Sequence, residues 1–306
     1  MIVSVSRRTD VPALYSDWFF NRLREGFALV RNPMNPRQVS RVALDAQSAD
    51  AFVFWSKNPA PMLERLGEIG DRPYYFQFTL TPYDRDVEGA LPDKRALMDT
   101  FARLSDKIGP ERVIWRYDPI LITPRYDADF HLRAFEKMAK RLHPYTRRVT
   151  VSFIDPYRHI QKAVDEMGIR FLDEQAQFAL LEPIARCAQA LGLSVDTCCE
   201  AADFEKLGVS HAHCIDAQLL GRIAGLTPAA LRDPNQRLHC GCAASVDIGA
   251  YDTCTNGCRY CYATHSAKAV GRYDAHSPLL CSALSDTDEI RERAMPAAFL
   301  NQTSFL

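Results

Sequence analysis

The chain has 306 residues, 47% hydrophobic and 25% charged, with 18 Pro and 14 Gly, a globular composition that excludes disordered, collagenous and low-complexity scaffolds. With 37 basic residues against 38 acidic, the net charge of −1 gives no support to capture of nucleic acid by bulk charge, although a local basic groove is compatible with it. The opening run MIVSVSRRTD is too polar for a secretory leader, and no apolar run approaches the ~20 residues of a membrane helix, so a soluble cytoplasmic protein is expected.

Short apolar or β-branched runs alternate with segments of helical periodicity. In chain order they predict a strand at 2–6, a helix at 12–24, a strand at 52–55, a helix at 61–69, a strand at 74–80 and a helix at 93–104. A strand at 112–116, a helix at 128–142, a strand at 149–153, a helix at 173–190 and a strand at 193–197 follow. Most strand runs are almost continuously apolar, as in a parallel sheet buried on both faces. Residues 28–44, with Asn-Pro twice at their centre, interrupt the alternation and read as a hairpin-like insertion. The turn after the first strand, SRRTD, has no Gly-rich phosphate loop. That favours an α/β, (β/α) barrel-like fold, a partial or full TIM-type barrel, over an open doubly wound sheet. The barrel body is expected over 1–236. Residues 237–306 lose helical periodicity, gain Cys and Gly, and read as a cluster-binding segment and tail closing the barrel mouth, with a short strand at 246–249 and a helix around 286–294.

Barrel enzymes gather their chemistry on the loops after the strands. Here each strand run ends abruptly in polar residues, from Ser6-Arg7-Arg8-Thr9-Asp10 through Ser56-Lys57-Asn58, Thr79-Leu80-Thr81-Pro82-Tyr83, Arg116-Tyr117-Asp118 and Ser152 to Asp155, to Cys198-Cys199-Glu200. A single Asp-Pro or Asn-Pro end marks only a turn, but six polar ends in series describe a charged mouth. Arg7, Arg8, Lys57 and Arg116 suit a substrate carboxylate or phosphate, and Asp10, Asp118, Asp155 and Glu200 suit amines and hydroxyls; these eight are the catalytic candidates. Ser56, Asn58 and Ser152 are candidate cofactor contacts.

Of the ten cysteines, five lie between Cys240 and Cys261. An intracellular chain of this size has little use for disulfides, so clustered thiols point to metal or redox chemistry. Cys254-Thr-Asn-Gly-Cys258-Arg-Tyr-Cys261 places three thiols within eight residues. Soft thiolates select Zn, Cu(I) or iron–sulfur clusters. Three ligands at unequal spacing fit a paired four-ligand Zn site poorly and fit a 4Fe–4S cluster with one open iron. Cys198, Cys214, Cys240 and Cys242 form a second candidate set, for an auxiliary iron–sulfur cluster or Zn, if the C-terminal segment folds back across the mouth. Cys187 and Cys281 read as small buried hydrophobes.

The C-x3-C-x-aromatic-C run, with Tyr260 in the aromatic place, resembles the signature of the radical S-adenosylmethionine superfamily, and residues 251–263 are particularly similar to the branch containing spore photoproduct lyase. That resemblance implies a barrel fold and a 4Fe–4S cluster on Cys254, Cys258 and Cys261 whose open iron takes S-adenosylmethionine, with Tyr260 near the adenine. It also implies a 5′-deoxyadenosyl radical acting on a small polar metabolite or a nucleobase lesion, and a reduced ferredoxin- or flavodoxin-type electron donor. The chain further resembles an uncharacterised bacterial family whose members open with SRRTD, carry WSKNP-like and WRYDP segments and end with this cluster. In the superfamily the cysteine loop follows the first strand; here it follows all six strand runs, so a circularly permuted barrel is expected, with 246–249 in the first strand's place. No Gly-Gly-Glu follows a second strand to hold the methionine amine. Two other readings compete: a Zn- or cluster-binding barrel protein with a structural thiolate site and no S-adenosylmethionine chemistry, and a redox or iron sensor. Against a Zn hydrolase, no H-E-x-x-H motif occurs.

Overall fold

The computed structural model describes residues 1–300; residues 301–306, the end of the expected C-terminal segment, lie outside the described residues. Strand β1 (Ile2–Val5) leads into α1 (Val11–Leu14) and α2 (Ser16–Glu25), the two halves of the predicted first helix, which breaks at Tyr15. The insertion is an antiparallel hairpin of β2 (Phe27–Arg31) and β3 (Gln38–Ala43). Then come β4 (Ala51–Ser56), a 3-10 helical stretch at Ala60–Ile69, β5 (Tyr74–Thr79), α3 (Lys94–Ile108), β6 (Val113–Ile120), α4 (Ala128–Leu142) and β7 (Arg148–Phe153). After α5 (Gln161–Met167) and α6 (Glu174–Ala190), the chain adds β8 (Ser194–Thr197), β9 (Val209–His211), α7 (Ala217–Ala224), β10 (Val246–Asp247) and β11 (Glu289–Glu292). Helices α1, α3, α4, α6 and α7 each begin on an Asp whose carboxylate accepts from a backbone N–H of the first turn, satisfying a donor with no partner inside the helix.

Eight strands form one parallel sheet in the order β10-β1-β4-β5-β6-β7-β8-β9. From β1 onward the spatial order follows the chain, without the reversal that marks a doubly wound sheet. The winding is that of an α/β, barrel-like fold, and the sheet is not closed. Strand β10 stands beside β1, with Val246 opposite Val3 and Asp247 opposite Ser4.

Side chains alternate between two faces along each strand. Val3, Val5, Phe52, Phe54, Phe76, Trp115 and Val149 pack outward with Trp18 and Phe19 of α2, Phe101 of α3, Phe135 of α4 and Leu181 of α6. The alternate positions Ile2, Ala51, Val53, Tyr75 and Ile114 meet Leu219 and Leu220 of α7, together with Cys214 and Cys242. The inner face is thus apolar at the strand beginnings and polar at their ends, where Gln77, Arg116 and Ser152 take over. One expectation fails: the predicted helix near 286–294 is β11, which pairs in parallel with β3 from Glu289 opposite Gln38 to Glu292 opposite Arg41. Pairing onto the open edge of the hairpin outweighs local helix propensity there. Among the described residues, no helix is long and apolar enough to cross a membrane.

Candidate functional site

A cavity of about 500 Å³ opens at the C-terminal ends of the strands. It is lined by Arg7, Arg8, Asp10, Ser56, Lys57, Arg116, Asp118, Ser152, Asp155 and Tyr260 together with both thiol sets: Cys254, Cys258 and Cys261, and Cys198, Cys214, Cys240 and Cys242. Two predicted site residues do not line it. The Asn58 side chain accepts from the Ala60 N–H at 3.4 Å and shapes a turn, and the Glu200 carboxylate accepts from the Phe153 N–H at 2.9 Å. Burial raises the Glu200 carboxyl to about 7, with Asp155 and Asp118 adding to the rise.

The cysteine loop leaves β10 and is clamped from three sides. Beneath it, the Asp247 carboxylate accepts from Ser4 Oγ at 2.9 Å, Ser6 Oγ at 2.5 Å and the Arg7 N–H at 2.8 Å. Asn256 Nδ2 donates to Asp10 Oδ2 at 2.9 Å, while the same carboxylate accepts from Ser56 Oγ at 2.7 Å and the Lys57 N–H at 2.8 Å. Asp10 and Ser56 are therefore brackets joining β1, β4 and the loop; their polar atoms are engaged. On the third side Ala90 N–H donates to Asn256 O at 3.1 Å and Arg259 N–H to Val87 O at 2.9 Å, laying the loop along residues 87–90. Gly257 sits at φ +69°, a left-handed conformation that favours glycine, with its Cα side against Gly89 and Ala90.

Glu88 is the hub of that contact and had no signal in the sequence. Its side chain is 0% exposed and is met by Lys57 Nζ at 2.6 Å, Thr81 Oγ1 at 2.7 Å, Lys94 and the Tyr260 hydroxyl. Burial pushes the carboxyl up, but Lys57 and Lys94 more than offset it and hold it down at about 2. The Tyr260 hydroxyl is thus committed to Glu88 and its ring lies under the Lys57 ammonium, 5.5 Å from the centroid. Burial raises the Cys258 thiol, and Lys57 opposes that rise. Asp247 and Asn256 were also missed, because a single Asp or Asn in a short run carries no periodicity.

Arg116 is 4% exposed, pairs with Asp118 and donates from Nη1 to Cys214 Sγ at 3.0 Å. The Asp118 carboxylate also accepts from Ser152 Oγ. Asp155 pairs with Arg237 at 2.5 Å at the exposed rim. Arg7 and Arg8 approach Asp247 only at 4.0 Å each; their remaining contacts are long, Arg7 Nη1 to Gln236 Oε1 at 3.4 Å and Arg8 Nη1 to Gly249 O at 3.5 Å, with Arg8 over the Tyr251 ring, and both face the cavity. As the side chains stand, no group of three or more His, Cys, Asp or Glu among the described residues is set to hold a metal ion. The donor chemistry of the loop nevertheless fits a cluster: three thiols on one clamped loop face one cavity, beside a fixed ammonium.

No curated protein matches the chain. Among solved structures, the crystal structure of mannonate dehydratase from Streptococcus suis serotype 2 is similar at a TM-score of 0.31 and 15% identity, over 49% of this chain and 53% of that one. The chain thus spans about half the length of that structure. From the first strand through the cysteine loop, at residues 2–263, the sequence matches one family model, and the chain belongs to that family, the domain of unknown function DUF1848.

Proposed function

We propose that the protein is a radical S-adenosylmethionine enzyme whose 4Fe–4S cluster is held by Cys254, Cys258 and Cys261. The observation that carries the reading is the position of that loop: it follows the C-terminal end of a strand beside β1 and faces the cavity formed by the polar strand ends. The resemblance of residues 251–263 to the spore photoproduct lyase branch supplies the reaction class. When bound, such a cluster supplies the electron that splits the sulfonium of S-adenosylmethionine into methionine and a 5′-deoxyadenosyl radical.

The chain's own residues do the positioning. Asp10, Asp247 and Glu88 hold the loop from three sides, so its thiols are presented with little conformational freedom left to lose. Lys57, fixed between Glu88 and the Tyr260 ring, opposes the rise that burial imposes on the Cys258 thiol. Trp55, Phe153, Ile154 and Tyr260 give the cavity apolar walls, which a carbon radical needs if it is to reach substrate before water does. Arg7 and Arg8 face the same space with loosely held guanidinium groups, suited to an anionic group on a small polar substrate or a nucleotide. A reduced ferredoxin- or flavodoxin-type protein is the expected electron donor. Anaerobically reconstituted protein incubated with dithionite and S-adenosylmethionine should form 5′-deoxyadenosine; a fully loaded cluster that forms none contradicts the proposal.

A further inference from the structure

We propose that Cys198, Cys214, Cys240 and Cys242 form a second, single-metal site that binds one Zn(II) through four thiolates. Three separate segments converge there. Cys198 follows β8, Cys214 lies between β9 and α7, and Cys240 and Cys242 lie on the strap that leads to β10. Cys198 Sγ and Cys214 Sγ are 3.2 Å apart, and the Cys242 thiol stands next to both Cys214 and Cys240. The thiols thus form a row, 198-214-242-240, that does not meet at one point as the side chains stand, so binding a metal would require the ends of the row to turn inward.

Spacing selects the kind of centre. Two thiolates bonded to one metal at ~2.3 Å in a tetrahedron lie ~3.8 Å apart. A cube instead holds each thiolate on its own iron, which spreads them further. The close Cys198–Cys214 contact therefore fits one shared metal. Among the described residues, Cys254, Cys258 and Cys261 make no such mutual contact and interact only as charges at longer range.

Two N–H donors are aimed at these sulfurs. Arg116 Nη1 donates to Cys214 Sγ at 3.0 Å and the Ile215 N–H donates to Cys242 Sγ at 3.3 Å. N–H donors aimed at sulfur orient ligated thiolates. The backbone is fixed as well: the Cys214 carbonyl accepts from Tyr75 Oη at 2.7 Å and Gln77 Nε2 at 2.9 Å, and Cys198 N–H donates to Val151 O at 3.0 Å. Four protein ligands leave no open position, so the site is a staple that pins the strap before it delivers β10 and the cysteine loop.

This inference does not depend on the loop cluster, and its test removes that cluster. The Cys254→Ala/Cys258→Ala/Cys261→Ala variant, purified without oxygen, should carry one Zn per chain and no acid-labile sulfide. Replacing the Zn with Co(II) should give intense thiolate-to-cobalt absorption with tetrahedral bands, and adding Cys214→Ser should weaken Co(II) binding at least ~100-fold. Should the triple variant fail to fold, native mass spectrometry of the wild-type chain decides: one Zn should be retained by wild type and by Cys254→Ala, and lost by Cys198→Ser. Iron with sulfide at the four thiols, no bound metal, or a Cys198–Cys214 disulfide in protein prepared without oxygen would each overturn the proposal.

Discussion

The Glu88 carboxylate receives Lys57, Lys94, Thr81 and Tyr260 in a place that water does not reach. Removing one charge from such a group leaves the others buried without a partner, which typically costs about 3–5 kcal/mol. Glu88→Gln should therefore lower the urea unfolding free energy by about that much and reduce the iron retained after anaerobic reconstitution, both measured against wild type. An unchanged iron content would detach Glu88 from the loop. Glu200 gives a pH signature of opposite sense to an ordinary ion pair. Its carboxyl is raised from 4.5 to about 7 by burial, so the folded state keeps a proton that the unfolded chain has released. Stability from this group falls as pH rises from about 4.5 through about 7. In Glu200→Gln the melting temperature should lose that downward slope, and at pH 8 the variant should melt above wild type.

At the scale of elements, β10 carries the argument, because two paired residues place the whole cysteine loop. Its approach to β1 is so close that a Cβ on Gly249 would stand 2.0 Å from Ser6 Oγ and 2.5 Å from Ser6 Cβ. Gly249→Ala must push the loop away from β1, a packing strain worth about 1–3 kcal/mol. Hydrogen exchange should then rise across 246–263 while β4 to β7 remain protected; uniform loosening of the sheet would contradict the local account. Strands β1 and β4 to β7 were legible because each carries a run of buried, mostly apolar residues followed by polar ones, and β8 from the β-branched Val195 and Thr197 after Leu193. Strand β9, three residues long, and β11, whose side chains are all exposed, have no such contrast; their pairing is made by distant partners. The helix expected at 286–294 failed for that reason.

Across the whole molecule, the charged mouth was legible from the six polar strand ends, but the division of labour within it was not. Asp10, Asp118 and Ser56 read as free functional groups in the sequence, and in the folded chain they are engaged by Asn256, Arg116 and one another across β1, β4, β6 and the loop. Such pairings join residues up to 246 positions apart, which no local pattern encodes. What remains available to a ligand is the arginine pair Arg7 and Arg8, the apolar wall and the three loop thiols. Arg7→Ala and Arg8→Ala should each leave cluster loading unchanged and weaken binding of an anionic substrate about 10- to 100-fold, since a charged hydrogen bond contributes about 1.5–3 kcal/mol. The most direct test of the central claim is electron paramagnetic resonance of the dithionite-reduced, fully loaded protein, recorded with and without S-adenosylmethionine. Binding at an open iron held by Cys254, Cys258 and Cys261 should shift the cluster signal, and the signal itself should be absent from the triple Ala variant. A loaded cluster whose signal is identical with and without S-adenosylmethionine would contradict the account.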